Sequence, residues 1–113
     1  MISNRQLKVG ETVKRSLSVI LARDIYIDAL GESFIPLSKV IMTADLGIAD
    51  VYVLPMLNNK ISDEQLLDIL NKMSPKIRHI LAQKVVLKKL PVLRFKLDNS
   101  LSEVAKIENL LKH

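Results

Sequence analysis

Within Asn4 to Arg23, apolar residues recur at Val9, Val13, Leu17, Ile20 and Leu21, the three-to-four spacing that gathers them on one side of a helix. Lys8, Lys14 and Arg15 fall mostly off that stripe. Gly10 is worth about 1 kcal/mol less than alanine inside a helix, which predicts weaker first turns. Asp24 to Glu32 reads as a connection closed by Gly31. The pattern then changes period. Phe34 to Thr43 is rich in β-favouring residues, and Pro36 near its start predicts an edge strand. Ala49 to Leu54 alternates, with Ala49, Val51 and Val53 on one face and Asp50, Tyr52 and Leu54 on the other. Asp45-Leu46-Gly47 between them predicts a hairpin turn.

Ser62-Asp63-Glu64-Gln65 fits a capping box that opens a helix with Leu66, Leu67 and Leu70 as its stripe. Asn71 to Ser74 predicts an interruption, after which Ser74-Pro75 supplies an N-cap and a proline suited to the first helical position. Ile77, Ile80, Leu81 and Val85 form the next buried stripe, while Lys72, Lys76, His79 and Gln83 lie along another face. A third strand is expected from Leu87 to Leu97, with Leu93, Phe95 and Leu97 opposite Arg94 and Lys96. Pro91 lacks a ladder donor and marks it as an edge. Asp98-Asn99-Ser100 can cap a closing helix carrying Val104, Ile107, Leu110 and Leu111.

The expected order is therefore helix-strand-strand-helix-helix-strand-helix, an α+β architecture with the second strand central in a three-stranded mixed sheet. The crossover through two helices allows the second and third strands to run parallel. One sheet face is covered by helices and the other is at least partly open. At 113 residues and 49% hydrophobic, residues 1–113 form a single domain able to bury one modest core. Without cysteine there is no disulfide, thiolate metal site or thiol nucleophile. No apolar run approaches the roughly 20 residues of a membrane span, and no apolar block follows the N-terminal charge as in a secretory signal. A soluble, cytoplasmic protein that does not engage membranes is expected.

Charge sharpens this picture. Lys72 to Lys96 holds eight basic residues and no acid, whereas Asp24 to Asn71 holds eight acids and two bases, within a net charge of +5. Segregation of this kind predicts a side that faces a polyanion, nucleic acid first among the candidates. The four aromatics, Tyr26, Phe34, Tyr52 and Phe95, are too few for a base-stacking platform, so backbone charge and shape should dominate. Catalysis has little to stand on. His79 lies on a basic helix and His113 is the last residue, neither near a serine–carboxylate arrangement. Asp45 and Asp50 read as a turn former and a strand residue rather than an acid/base pair. Gly10, Gly31 and Gly47 are isolated, and metal-ligand spacing is absent. No enzyme activity, metal, cofactor or small-molecule substrate is expected.

Three segments carry a family resemblance. The first helix opens Arg5-Gln6-Leu7-Lys8-Val9-Gly10-Glu11-Thr12-Val13-Lys14-Arg15-Ser16-Leu17. The hairpin reads Ala44-Asp45-Leu46-Gly47-Ile48-Ala49-Asp50-Val51-Tyr52-Val53. The last strand reads Leu87-Lys88-Lys89-Leu90-Pro91-Val92-Leu93-Arg94-Phe95-Lys96-Leu97-Asp98-Asn99-Ser100, a basic pair, a Pro-x-Leu-x-Phe strand and an Asp-x-Ser end. In this order and spacing the chain resembles ribosome-binding factor A, the bacterial assembly factor family of the small ribosomal subunit, over nearly its full length.

The resemblance implies a type II KH-like fold and a non-enzymatic factor, expected as a monomer, that binds the small ribosomal subunit through its rRNA. It further implies action during late maturation and rRNA processing, and an association with growth in the cold. The candidate RNA contacts are Arg5, Lys8, Lys14 and Arg15 on the first helix, with Lys72, Lys76, Arg78, Lys84, Lys88, Lys89, Arg94 and Lys96 from the acid-free segment. The family's Ala-x-Gly kink is replaced here by Met73-Ser74-Pro75, and its longer basic C-terminal extension has no counterpart after His113. Because Pro75 has no amide donor, side-chain contacts to structured RNA are expected rather than a backbone clamp. Two other readings stand beside this one: a general single-stranded RNA-binding KH module, and a protein-interaction domain using the open sheet face without nucleic acid.

Overall fold

The computed structural model describes residues 1–28, 30, 34–55 and 61–100, and the expected closing helix lies outside them. Helix α1 spans Asn4–Arg23, strand β1 Leu37–Met42, strand β2 Ile48–Val53, helix α2 Asp63–Lys84 and strand β3 Val92–Leu97. The sheet order is β1-β2-β3. β1 and β2 are antiparallel, with Val40 opposite Val51 and a bulge between Leu37 and Lys39; β2 and β3 are parallel, with Asp50 opposite Arg94. The central place of β2 and the proline-marked edges agree with the sequence pattern.

Both helices begin with a capping box. Gln6 donates its N–H to Ser3 Oγ at 3.1 Å while Ser3 donates back to Gln6 Oε1 at 2.9 Å, and Ser62 and Gln65 repeat the exchange at the same distances. Gln6 also donates Nε2–H to the Met42 carbonyl at 3.0 Å, tying the start of α1 to the end of β1. α1 packs on β1 and α2 on β3, and the helices touch each other. Their fully buried stripes, Val13, Leu17 and Ile20 of α1 and Leu70, Ile77 and Leu81 of α2, form one core with Ala49, Val51 and Val53 of the central strand.

Gly10 has a role that helix propensity does not show. It is buried on the α1 stripe, and a Cβ added there would lie 2.7 Å from the Val40 carbonyl oxygen. The glycine lets the helix backbone approach β1 more closely than any side chain permits.

The expected break at Asn71–Ser74 does not occur. The two anticipated helices are one helix, with Pro75 inside it. Proline withholds the N–H that would have served the Asn71 carbonyl. Asn71 and Pro75 are both exposed, so water can take that carbonyl. Ser74 is not an N-cap either; it is buried, and its hydroxyl donates to the Leu93 carbonyl at 3.0 Å. Ser74 and, a turn earlier, Asn71 are bonded to β3, and Arg78 beyond Pro75 bonds the connection that precedes it, which holds the helix on course through the missing bond. The third strand also begins later than the pattern suggests, at Val92, because Pro91 is buried and the stretch before it is a connection.

Candidate nucleic-acid interface

The basic residues fall into four groups once the chain is folded. At one end, Arg5 from the start of α1 meets Lys88 and Lys89 from the α2–β3 connection across a cleft of about 330 Å³. Val9, Leu46 and Leu87 contribute its apolar floor and Val86 its margin. The β1–β2 turn builds one wall. Asp45 Oδ1 accepts from the Thr43 hydroxyl at 2.7 Å and from the Gly47 N–H at 2.9 Å. This locks Leu46 in the left-handed region at φ 61°, a conformation costing roughly 1–2 kcal/mol for a residue with a Cβ. Burial of the leucine side chain offsets that cost. The Gly47 N–H, then the Thr43 hydroxyl and the Lys89 charge, hold the Asp45 carboxyl below the usual carboxylate range.

On the helical side, Arg15 of α1 and Lys84 of α2 flank a groove over Val19 and Ile20, with Lys14 in the adjoining groove. Lys8 is exposed on α1, and Lys72 and Lys76 are exposed on α2. The open sheet face carries the fourth group, Arg94 and Lys96.

That last group is not the free positive strip that the acid-free segment suggests. Arg94 grips Asp50 on the neighbouring strand through two bonds, Nε to Oδ1 at 2.8 Å and the terminal nitrogen to Oδ2 at 3.2 Å. Lys96 Nζ reaches the same carboxylate at 3.5 Å. Burial opposes the Asp50 charge most strongly, but the Arg94 bond and the two cations together outweigh it and keep the carboxyl below its ordinary range. Lys39 lies over the Tyr52 ring at 4.8 Å on this sheet, a basic position outside the acid-free segment that strand alternation, rather than charge density, would have singled out.

Other cations are also engaged. Arg78 donates Nε–H to the Pro91 carbonyl at 3.0 Å and a terminal N–H to Leu90 at 2.9 Å, so it anchors the connection before β3. Lys72 pairs with Asp68 at 3.0 Å, Lys89 with Asp45 at 3.7 Å and Lys84 with Asp24 at 4.0 Å. These three pairs are largely exposed, and such pairs are worth about 1 kcal/mol or less, so a phosphate can displace the acid. The Asp50 pair is different in kind, since its carboxylate side chain is only 15% exposed and gripped twice. Arg5, Lys8, Lys14, Arg15, Lys76 and Lys88 have no ion partner among the described residues.

His79 is exposed, its side chain 3.5 Å from Gln83, and no group of acids and histidines suited to a metal ion occurs among the described residues. No helix among them is long and apolar enough to cross a membrane.

Two helices on one face of a mixed three-stranded sheet, with β2 and β3 parallel across a helical crossover, define a KH-like protein. The chain belongs to the ribosome-binding factor A family, whose model matches residues 5–111. It is 41% identical to ribosome-binding factor A of Pelagibacter ubique over 98% of this chain and 90% of that protein. It is 35% identical to the Rickettsia felis factor over 98% of this chain and 92% of the relative. Among solved structures, the crystal structure of ribosome-binding factor A from Thermus thermophilus superposes with a TM-score of 0.69 at 21% identity, covering 81% of this chain and 94% of the other. A homology model of the Thermus thermophilus factor, fitted into a cryo-EM map of its complex with the 30S subunit, gives a TM-score of 0.67 at 20% identity, covering 83% of this chain and 96% of the other.

Proposed function

We propose that this chain binds the small ribosomal subunit through its rRNA, as a non-enzymatic factor acting in late maturation and rRNA processing and supporting growth in the cold. The observation that carries the RNA-binding surface is the convergence of Arg5 and Lys88 from distant parts of the chain on one cleft, both without an ion partner among the described residues. Family membership and the 30S complex of the Thermus thermophilus relative support the choice of partner. Lys8, Lys14, Arg15 and Lys76 extend the surface. Lys72, Lys84 and Lys89 join it by releasing weak acidic partners, whereas Arg78, Arg94 and Lys96 serve the fold first.

A single-stranded KH clamp is the poorer reading, because Met73-Ser74-Pro75 lies within a continuous helix and offers no loop of free amides. Sedimentation of the tagged protein with ribosomal particles through a gradient tests the proposal. Co-migration with small subunits that weakens steeply as salt rises is expected. Failure to co-migrate at low salt would refute it.

A further inference from the structure

The cleft beneath Arg5 and Lys88 combines two features that one phosphate contact does not require together. Its rim is cationic, yet its floor and margin are aliphatic, and Val86 at the margin is fully exposed at 102%. Val86 thus carries the apolar lining of the floor out to the edge of the cleft. The occupant can be read from the charges. Lys89 is offset by Asp45 at 3.7 Å, which leaves Arg5 and Lys88 as two cations with no ion partner among the described residues. Two cations over an apolar floor complement a group that is anionic at one end and apolar at the other. A nucleotide has that form.

We propose that the cleft receives a single unpaired nucleotide of the bound RNA, with its phosphate at the Arg5–Lys88 rim and its base against Val9, Leu46, Leu87 and Val86. The inference rests on the RNA-binding reading above and specifies what one part of that surface recognises. A volume of about 330 Å³ holds one ring system rather than several. No aromatic side chain lines the cleft, so the base is held by aliphatic contact and desolvation rather than by stacking. The walls are fixed before binding. The Thr43–Asp45–Gly47 bonds set the turn that carries Leu46, and the Arg78 bonds to Leu90 and Pro91 anchor the connection that carries Leu87 and Lys88. Little ordering is left for the RNA to induce.

The test compares two RNA hairpins of the same stem, one fully paired and one with a single bulged adenosine, titrated against the whole chain at fixed salt. The bulged hairpin is expected to bind about five- to tenfold more tightly, less than a full aromatic stack would give. An abasic bulge, which keeps the phosphate and the kink, should lose that preference. Val86→Asn should lose it as well while leaving affinity for the paired hairpin unchanged, and because Val86 is fully exposed the substitution leaves the core untouched.

Equal affinity for the two hairpins, or no binding to either while subunits are still bound, would overturn the nucleotide cleft and leave subunit binding standing. Loss of subunit binding as well would remove both readings. If Val86→Asn weakens attachment to subunits with the bulge preference intact, the margin meets a protein of the subunit, and the proposal is again overturned.

Discussion

Asn71 pairs with Phe95 as a neighbouring strand would. The Phe95 N–H donates to Asn71 Oδ1 at 2.9 Å, and Asn71 Nδ2–H donates to the Phe95 carbonyl at 3.1 Å. Three residues on, Ser74 bonds the Leu93 carbonyl, and four beyond that Arg78 bonds the Pro91 and Leu90 carbonyls. The alternate groups of β3 face away from β2, so one helical face supplies side-chain partners along an edge that would otherwise be open. Asn71→Ala should strip both partners from Phe95 and lower stability by about 1–2 kcal/mol, with an unchanged m-value in urea unfolding. Subunit binding by the folded fraction should not change, since Asn71 lies outside the proposed contacts.

Pro75 gives a prediction whose sign depends on the continuous helix. Were it the first residue of a helix, replacement would loosen that start. Inside α2, Pro75→Ala restores a donor to the Asn71 carbonyl and should raise stability by about 1 kcal/mol, short of the roughly 3 kcal/mol of a regular helix interior because the site has adapted to proline. A lower melting temperature for this variant would show that the proline stabilises the observed geometry.

Gly10→Ala should go the other way. Alanine gains about 1 kcal/mol in helix propensity. The added Cβ, however, would lie 2.7 Å from the Val40 oxygen, a backbone atom that cannot rotate away. Overpacking of this kind costs roughly 1–3 kcal/mol, so the variant should melt lower than the wild type despite its better helix former.

Asp98 predicts an acid-dependent loss of stability. The Ser100 hydroxyl above all, then the Ser38 hydroxyl and the Ser100 N–H, lower its pKa to about 2. The unfolded chain takes up a proton near the ordinary value of about 3.9, before the folded chain does. The contribution is therefore complete above that value and is lost as pH falls toward 2. Asp98→Asn should melt lower than the wild type at pH 5, and the gap should narrow steadily between pH 4 and pH 2.

Cations of equal formal charge should differ in their effect on binding. Lys88→Gln removes a charge with no ion partner among the described residues, so the salt dependence of subunit binding should become shallower by about one phosphate contact. Lys96→Gln removes a charge held 3.5 Å from Asp50, a carboxylate it shares with Arg94, and the slope should change less. Equal changes in both would mean that net charge alone draws the protein to RNA.

Local signals were enough for much of this molecule. The capping box at Ser62, the stripe from Val13 to Leu21, the alternation in Ala49 to Val53 and the edge prolines are short-range properties, and each was legible in the sequence for that reason; the matching box at Ser3 is a feature only the structure showed. The acid-free segment was legible too, but only as a run along the chain. Which of its charges remain available is settled by partners far away in sequence: Asp50 for Arg94 and Lys96, Asp45 for Lys89 and Asp24 for Lys84. The same holds for Gly10 and Pro75, which single-residue propensity reads as a weak point and a helix start. Val40 makes one a necessity, and bonds from Asn71 and Ser74 to β3 carry the helix through the other. Propensity and periodicity act within a few residues, so a sequence can announce its elements. Charge pairing and close approach act through space, and only the folded chain decides which groups meet.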